Sequence, residues 1–383
     1  MRFRTPVLRC RMFGTVPSGG RMPICCEHKH RGVALTLSNQ SVTISSDDTI
    51  TPFVEGLIID GSRGLYRVQT VEGILLCTIR GKLRKELAYP LSESAHKSVK
   101  HVKVKVHDPV AVGDRVRALP TGGGGGVIEA VVARAGGAFT RRDPGAGRGS
   151  LTATSIAGLD QMLLVFAVRD PKPNVRVLDR FLVTAESAGV PAIICITKLD
   201  LGLDPWLEER LAVYRALGYP VLLSSAATGD GLAAVRQMVV GHTSGLLGPS
   251  GVGKSSLLNA LEPDLAQRVS AISDFTGKGR HTTTGTRLCA LSGPEGGYIA
   301  DTAGIRELAL SQDVRDRLDW CFVEFRPLLG TCHLSDCTHL HEPKCAIRAA
   351  LHAGTIDPQR YESYGRLYAG GERDAEADWG DVE

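Results

Sequence analysis

Gly248-Pro249-Ser250-Gly251-Val252-Gly253-Lys254-Ser255 has the glycine, lysine and hydroxyl spacing of a loop that wraps phosphates. An apolar run ending in Leu246 and Leu247 precedes it, and a helical stretch over 256–261, opening on Ser256, follows. In that setting the glycines let backbone N–H groups turn toward phosphate oxygens, and the helix start adds a positive field. Lys254 would reach the β and γ oxygens, and Ser255 would bind Mg²⁺. Such a loop does not choose its base. Thr197-Lys198-Leu199-Asp200, at the end of an apolar run, can choose: the Asp200 carboxylate accepts from the guanine N1 and N2 donors, and adenine lacks that arrangement. Lys198 would lay its stem along the base, and Ser225-Ala226 would offer a backbone N–H to guanine O6.

Two further segments complete a phosphate-cleaving set. Asp301-Thr302-Ala303-Gly304 brings a carboxylate near Mg²⁺ through water and turns the Gly304 N–H toward a γ-phosphate. One of Thr282-Thr283-Thr284, assigned as Thr283, would close the Mg²⁺ shell. Ras-like enzymes carry a water-orienting Gln immediately after the glycine; here that position is Ile305. His281, in a Gly- and Lys-rich loop, is the candidate to position the attacking water, and turnover by the chain alone is expected to be slow. The base-reading segments precede the phosphate loop, so the order is that of a circularly permuted GTPase.

These segments need a parallel sheet to hold them. Apolar runs at 162–168, 192–196 and 221–224 alternate with helical stretches at 174–188, 208–217 and 232–239, which predicts strands flanked by helices on both faces. Upstream, short strands are expected at 54–59, 65–70, 74–80, 99–106, 115–119 and 127–132, separated by glycine-rich turns. They suggest a small closed barrel of OB type. Basic residues at 80–85 and Lys97, Lys100, Lys103 and Lys105 would meet a nucleic acid backbone or form an ordinary solvated face. The expected organisation is a basic extension at 1–50, the barrel at 51–138, a Gly-, Arg- and Pro-rich linker at 139–154, the GTPase domain at 155–314 and a small helical zinc-binding domain at 315–383.

Of ten cysteines, Cys332, Cys337 and Cys345 share one short stretch with His339 in the pattern C-x4-C-x-H-x5-C. Three thiolates and an imidazole suit one structural Zn²⁺, with no position left open for catalysis. His333 and His341 are the rival imidazoles. Cys77, Cys195 and Cys289 lie in apolar surroundings and are expected to be buried small hydrophobes. Clustered metal-type cysteines imply a reducing compartment, hence the cytoplasm. Residues 1–50 hold seven Arg and Lys against Glu27 and, near the end, Asp47 and Asp48. They read as a transit peptide, which would make the location organellar, as a disordered tail, or as translation from an upstream start. A net charge of +4 is compatible with RNA contact without requiring it, and no apolar run is long enough to span a membrane.

Taken together, these residues resemble the ribosome small-subunit-dependent GTPase family, RsgA/YjeQ. The resemblance runs over about 53–370, through the 80–85 segment, Gly158-Leu159-Asp160-Gln161, the permuted motifs, the 279–284 segment, the zinc spacing and Arg360-Tyr361-Glu362-Ser363-Tyr364. It implies an OB fold, a permuted GTPase and a zinc domain, acting late in small-subunit maturation, with hydrolysis stimulated by that subunit. Barrel and zinc region are expected to grip rRNA, and the chain is expected to be a monomer. Thr197 stands where the family commonly has Asn, which suggests a weaker tether to the phosphate loop, and Ala303 where it commonly has Pro. Because the chain runs from Gly304 almost directly into the zinc region, γ-phosphate sensing is expected to tilt that region. The alternatives are a permuted GTPase serving another RNA or assembly, and a non-catalytic RNA-binding protein.

Overall fold

Alternating apolar residues and turn glycines make the first part of the chain strand. The computed structural model describes residues 53–62, 64–81, 83, 110–132, 136–141, 153–263, 287–294, 296–301 and 312–370. Strands β1 (Val54–Ser62), β2 (Leu65–Thr70), β3 (Gly73–Ile79), β4 (Arg115–Gly122) and β5 (Gly125–Val131) close a barrel in the order β1-β2-β3-β5-β4. Neighbours are antiparallel except β3 and β5. Ile58, Val68, Cys77, Val116, Ala118 and Ile128 fill its interior. The OB-type expectation is met. The strand expected at 99–106, the lysines around it and Lys82, Arg84 and Lys85 lie outside the described residues, as do residues 1–50.

The expected linker is entered and left through strands. β6 (Gly137–Arg141) pairs antiparallel with β7 (Ala153–Leu159). A Cβ at Gly137 would lie 1.9 Å from Val190 Cγ2, so only glycine allows this approach. β7 also touches the barrel: the Ala157 N–H donates to Val112 O at 2.9 Å.

A six-stranded sheet follows, ordered β10-β9-β8-β11-β13-β12. Its strands are β8 (Gln161–Ala167), β9 (Ala192–Thr197), β10 (Val221–Leu223), β11 (Thr243–Leu247), β12 (Arg287–Ala290) and β13 (Tyr298–Asp301). All run parallel except β12, which lies antiparallel on the edge beside β13. Every residue of β8 and β9 is buried, as central parallel strands covered on both faces require. Helices α1 (Val175–Ser187), α2 (Pro205–Ala216), α3 (Leu232–Val239) and α4 (Lys254–Leu261) cover it. Their starts are written in the sequence. Asn174 accepts from the Arg176 N–H at 3.0 Å, and Asp204 accepts from the Trp206 N–H at 2.8 Å with Pro205 behind it.

The C-terminal region holds α5 (Gln312–Arg315), α6 (Ala346–His352) and α7 (Pro358–Tyr368) around Leu318, Phe322, Phe325, Ile347, Ile356 and Tyr364. Val183 of α1 joins that apolar cluster. Barrel, sheet and C-terminal region belong to one compact unit, Thr51–Glu383.

Candidate nucleotide site and metal centre

In an open parallel sheet the carboxyl ends of the strands, where the chain reverses direction, form the natural ligand crevice. Here β9 ends in Thr197 and leads into Lys198-Leu199-Asp200, β10 leads into Ser224-Ser225-Ala226, β11 leads into Gly248, and β13 ends at Asp301. The phosphate loop opens α4, whose first turn includes Lys254 and Ser255. A Cβ at Gly248 would sit 2.1 Å from Val165 O, so the loop passes directly over β8. Gly253, at φ 91°, supplies the left-handed turn into the helix. No described acceptor meets the N–H groups of Ser250, Gly251, Val252 or Gly253, a row of donors suited to phosphate oxygens. Lys254 Nζ bends back onto the carbonyls of Gly248 (2.7 Å) and Pro249.

The base-reading loops are stitched to one another and to the phosphate loop. Ser225 Oγ donates to Asp200 Oδ1 and accepts from the N–H groups of Ala227 and Thr228, each at 3.2 Å. The Leu199 N–H donates to Ser224 O at 3.1 Å. Asp200 is exposed, and its Oδ2 has no protein partner among the described residues; neither has the Ala226 N–H. Thr197 Oγ1 faces two carbonyls, Phe166 O at 3.1 Å and Val252 O in the phosphate loop. A hydroxyl has one proton and donates to one of them at a time, so its bond to the phosphate loop competes with its bond to β8. Lys198 takes a left-handed backbone (φ 57°), passes its Cε 4.0 Å from where a Gly253 Cβ would be, and donates from Nζ to Asp170 O.

β13 sets the position of the fourth segment. Asp301 pairs in register with Leu246, two residues before Gly248. His281, Thr283 and Gly304 lie outside the described residues. Two contributors had no signal in the sequence: Ser225, chosen for its backbone, acts as a side-chain clamp, and the Asp170 carbonyl serves as the lysine's anchor.

The metal centre is compact. One ligand atom from each of Cys332, Cys337, His339 and Cys345 lies within 4.8 Å of the others. His339 Nδ1 is 3.5 Å from both Cys332 Sγ and Cys345 Sγ. Its Nε2 faces Asp319 Oδ2 at 3.7 Å, the outer carboxylate that orients a ligating imidazole. His333 is exposed and His341 turns toward Glu342, and neither belongs to the four-residue cluster. Burial pushes the Cys337 thiol up to about 12. Glu342 is the brace the sequence did not announce. Burial opposes its charge, but the Thr338 hydroxyl and the N–H groups of Thr338 and His341 outweigh burial and hold the carboxyl far below its ordinary range. By contrast, Cys77 and Cys195 are fully buried, with thiols pushed up to about 11 by burial, and act as small hydrophobes.

A model of the RsgA GTPase family matches residues 138–311. The small ribosomal subunit biogenesis GTPase RsgA of Gemmatimonas aurantiaca is 42% identical over 322 residues, covering 83% of this chain and 97% of the relative. The chain belongs to the RsgA family. The RsgA of Moorella thermoacetica is 36% identical over 313 residues, 81% of this chain and 95% of that one. Among solved structures, YjeQ from Thermotoga maritima superposes with a TM-score of 0.63 at 30% identity, covering 83% of this chain and 98% of YjeQ. YloQ, described as a circularly permuted GTPase, gives 0.59 at 28% identity, covering 85% and 97%. The RsgA fold thus accounts for the rotated motif order.

Proposed function

We propose that this chain is a GTP hydrolase of small ribosomal subunit biogenesis, converting GTP and water to GDP and phosphate, slowly alone and faster on the subunit. The observation that carries this is the contact of Asp200 with Ser225 and of Thr197 with Val252, which brings the base-reading and phosphate-wrapping segments together at one end of the sheet. In this reading Asp200 accepts from guanine N1 and N2, Lys198 covers the ring, and Ala226 donates to O6. The N–H groups of the 248–255 loop, continuing to Ser256, wrap the phosphates, and Lys254 neutralises the β and γ oxygens. Ser255, Thr283 and Asp301 are the residues to hold Mg²⁺, which supplies charge compensation at those oxygens. Gly304 senses the γ-phosphate and His281 orients water. Cys332, Cys337, His339 and Cys345 hold a structural Zn²⁺ that supplies folding free energy rather than chemistry.

Barrel and zinc region together grip rRNA, the chain acts as a monomer in the cytoplasm, and hydrolysis releases it from the subunit. Among the described residues no helix is long and apolar enough to cross a membrane. GTP turnover measured with and without purified small subunits tests the proposal. Faster turnover with subunits is expected, and equal rates would refute it. Cosedimentation with small rather than large subunits, using a non-hydrolysable GTP analogue, separates this role from service to another RNA. Lys254→Ala should abolish hydrolysis with zinc content unchanged, and Asp200→Asn should erase the preference for guanine.

A further inference from the structure

β1 carries an irregularity that strand alternation alone would not produce. Residues two apart on a strand share a face, so Asp60 would follow the fully buried Ile58 into the barrel interior. The register shifts between Ile58 and Asp60, and such a bulge re-aims the side chain beyond it. The re-aimed carboxylate reaches the other domain: Arg287 of β12 donates to Asp60 Oδ2 from Nη2 at 2.8 Å and from Nε at 3.3 Å. Arg67, on the neighbouring barrel strand, stands 3.6 Å from the same oxygen.

Arg287 occupies a particular place. It is the first residue of β12, three positions after Thr284, and its register partner on β13 is Asp301, the residue before Thr302-Ala303-Gly304. The ion pair therefore ties the barrel to the strand end from which one γ-phosphate-sensing segment leaves, beside the strand end from which the other does. We infer that Asp60 and Arg287 are a positioning pair through which the barrel sets those strand ends for the GTP-bound state. Neither residue touches the nucleotide. GDP lacks the phosphate that the two segments sense, so loss of the pair weakens GTP binding and spares GDP.

This inference rests on the GTPase reading above, and it can be judged without ribosomes. The affinities of the full-length chain for GDP and for a non-hydrolysable GTP analogue are compared in Asp60→Asn, Arg287→Gln and the double variant. Each should lower the analogue's affinity relative to GDP by about fivefold or more, the low end of coupling between linked sites. The double variant should lose no more than either single one, because the two residues act as a unit. Asp60→Glu, which keeps the carboxylate, should recover most of the ratio, and Arg67→Gln should leave it in place. An unchanged ratio in folded single variants, or losses that multiply in the double, overturns the inference. With small subunits added, stimulated turnover should fall in Asp60→Asn. If the unsubstituted chain shows no stimulation, the proposed ribosomal role fails, and the nucleotide ratio still decides the pair.

Discussion

The GTPase sheet is joined to its two neighbours by seams of opposite construction. On the zinc side, Arg360 of α7 is 2% exposed and donates to Asp179 of α1 at 2.6 Å and to both oxygens of Glu324, at 2.8 and 3.0 Å. Tyr214 of α2 donates to the same Asp179 oxygen at 2.8 Å, and the guanidinium lies 4.5 Å from the centre of the Phe322 ring. Burial opposes the Arg360 charge, but Asp179 and Glu324 outweigh it and hold the guanidinium well above its ordinary range. Arg326 to Glu186 and Arg210 to Asp357 add partly covered pairs. On the barrel side an apolar cluster runs from Ile58 and Val68 into Ile156, Leu159 and Leu288, and the charged contact is one arginine with one aspartate, each 26% exposed.

A buried network with its donors and acceptors matched has few other arrangements of comparable energy, whereas a half-wet ion pair exchanges readily with water. The charged contact on the zinc side is therefore buried and fixed, and the charged contact on the barrel side is one that water can enter. The loop before α1 meets the nucleotide crevice as well: Pro171 Cδ comes within 3.6 Å of a Gly251 Cβ position, and Arg169 donates to Gly202 O at 3.3 Å. The loop before α1 thus adjoins the phosphate loop, and α1 itself packs on the C-terminal cluster through Val183.

The largest expected effect comes from stripping the metal. Small zinc sites contribute roughly 10–16 kcal/mol to folding, more than residues 312–370 could replace with their own apolar cluster. Chelation should unfold that region, read as loss of zinc and of its protease resistance, while the barrel remains closed. If the barrel came apart at the same chelator concentration, the two seams would not be independent. Next in size is Arg360→Ala, which leaves Asp179 and Glu324 buried without their cation. A loss of about 3–5 kcal/mol in urea-unfolding stability is expected. A loss near that of a surface pair would mean water enters this seam too.

A third substitution asks whether the strand pair carrying Arg287 is fixed at its other end. Glu262, after α4, is 2% exposed and accepts from the Ser292 N–H (2.8 Å), the Ser292 hydroxyl and Arg236. Burial opposes its charge, and these donors outweigh burial and lower its pKa. A carboxyl whose folded pKa is lowered contributes stability above its unfolded pKa and loses it as pH falls through the folded one. Glu262→Gln should therefore cost about 1.5–3 kcal/mol at neutral pH, and its gap from the unsubstituted chain should close on acidification below about pH 4. A gap that stays constant with pH would show that the carboxylate is not what anchors this end.

Legibility of the fold followed periodicity and local spacing. β8 and β9 stood out because both faces are covered and every position is apolar; the zinc ligands stood out because they fall within one short stretch. What escaped depended on partners distant in the chain. Asp60 and Arg287 are 227 residues apart, and Asp179 and Arg360 are 181 apart. Each alone looks like an ordinary charge on a strand or helix. β12 was visible only as apolar surroundings for Cys289, since an edge strand of four residues carries too little alternation to announce its direction. Arg360 was noticed as part of a family segment, but nothing local marks it as buried.

The smallest effect sharpens the contrast most. Asp60→Asn removes one charge from a pair that water already reaches, so unfolding stability should drop by only about 0–1 kcal/mol, less at high salt. Arg67 remains beside the amide, and Arg287 can turn to solvent. Measured by urea titration beside Arg360→Ala, the barrel-seam variant should be nearly silent in stability. A drop comparable to that of Arg360→Ala would mean that water does not reach the barrel-side pair. The charged contact at Arg287 would then be held as firmly as the one at Arg360, and the contrast between the two seams would collapse.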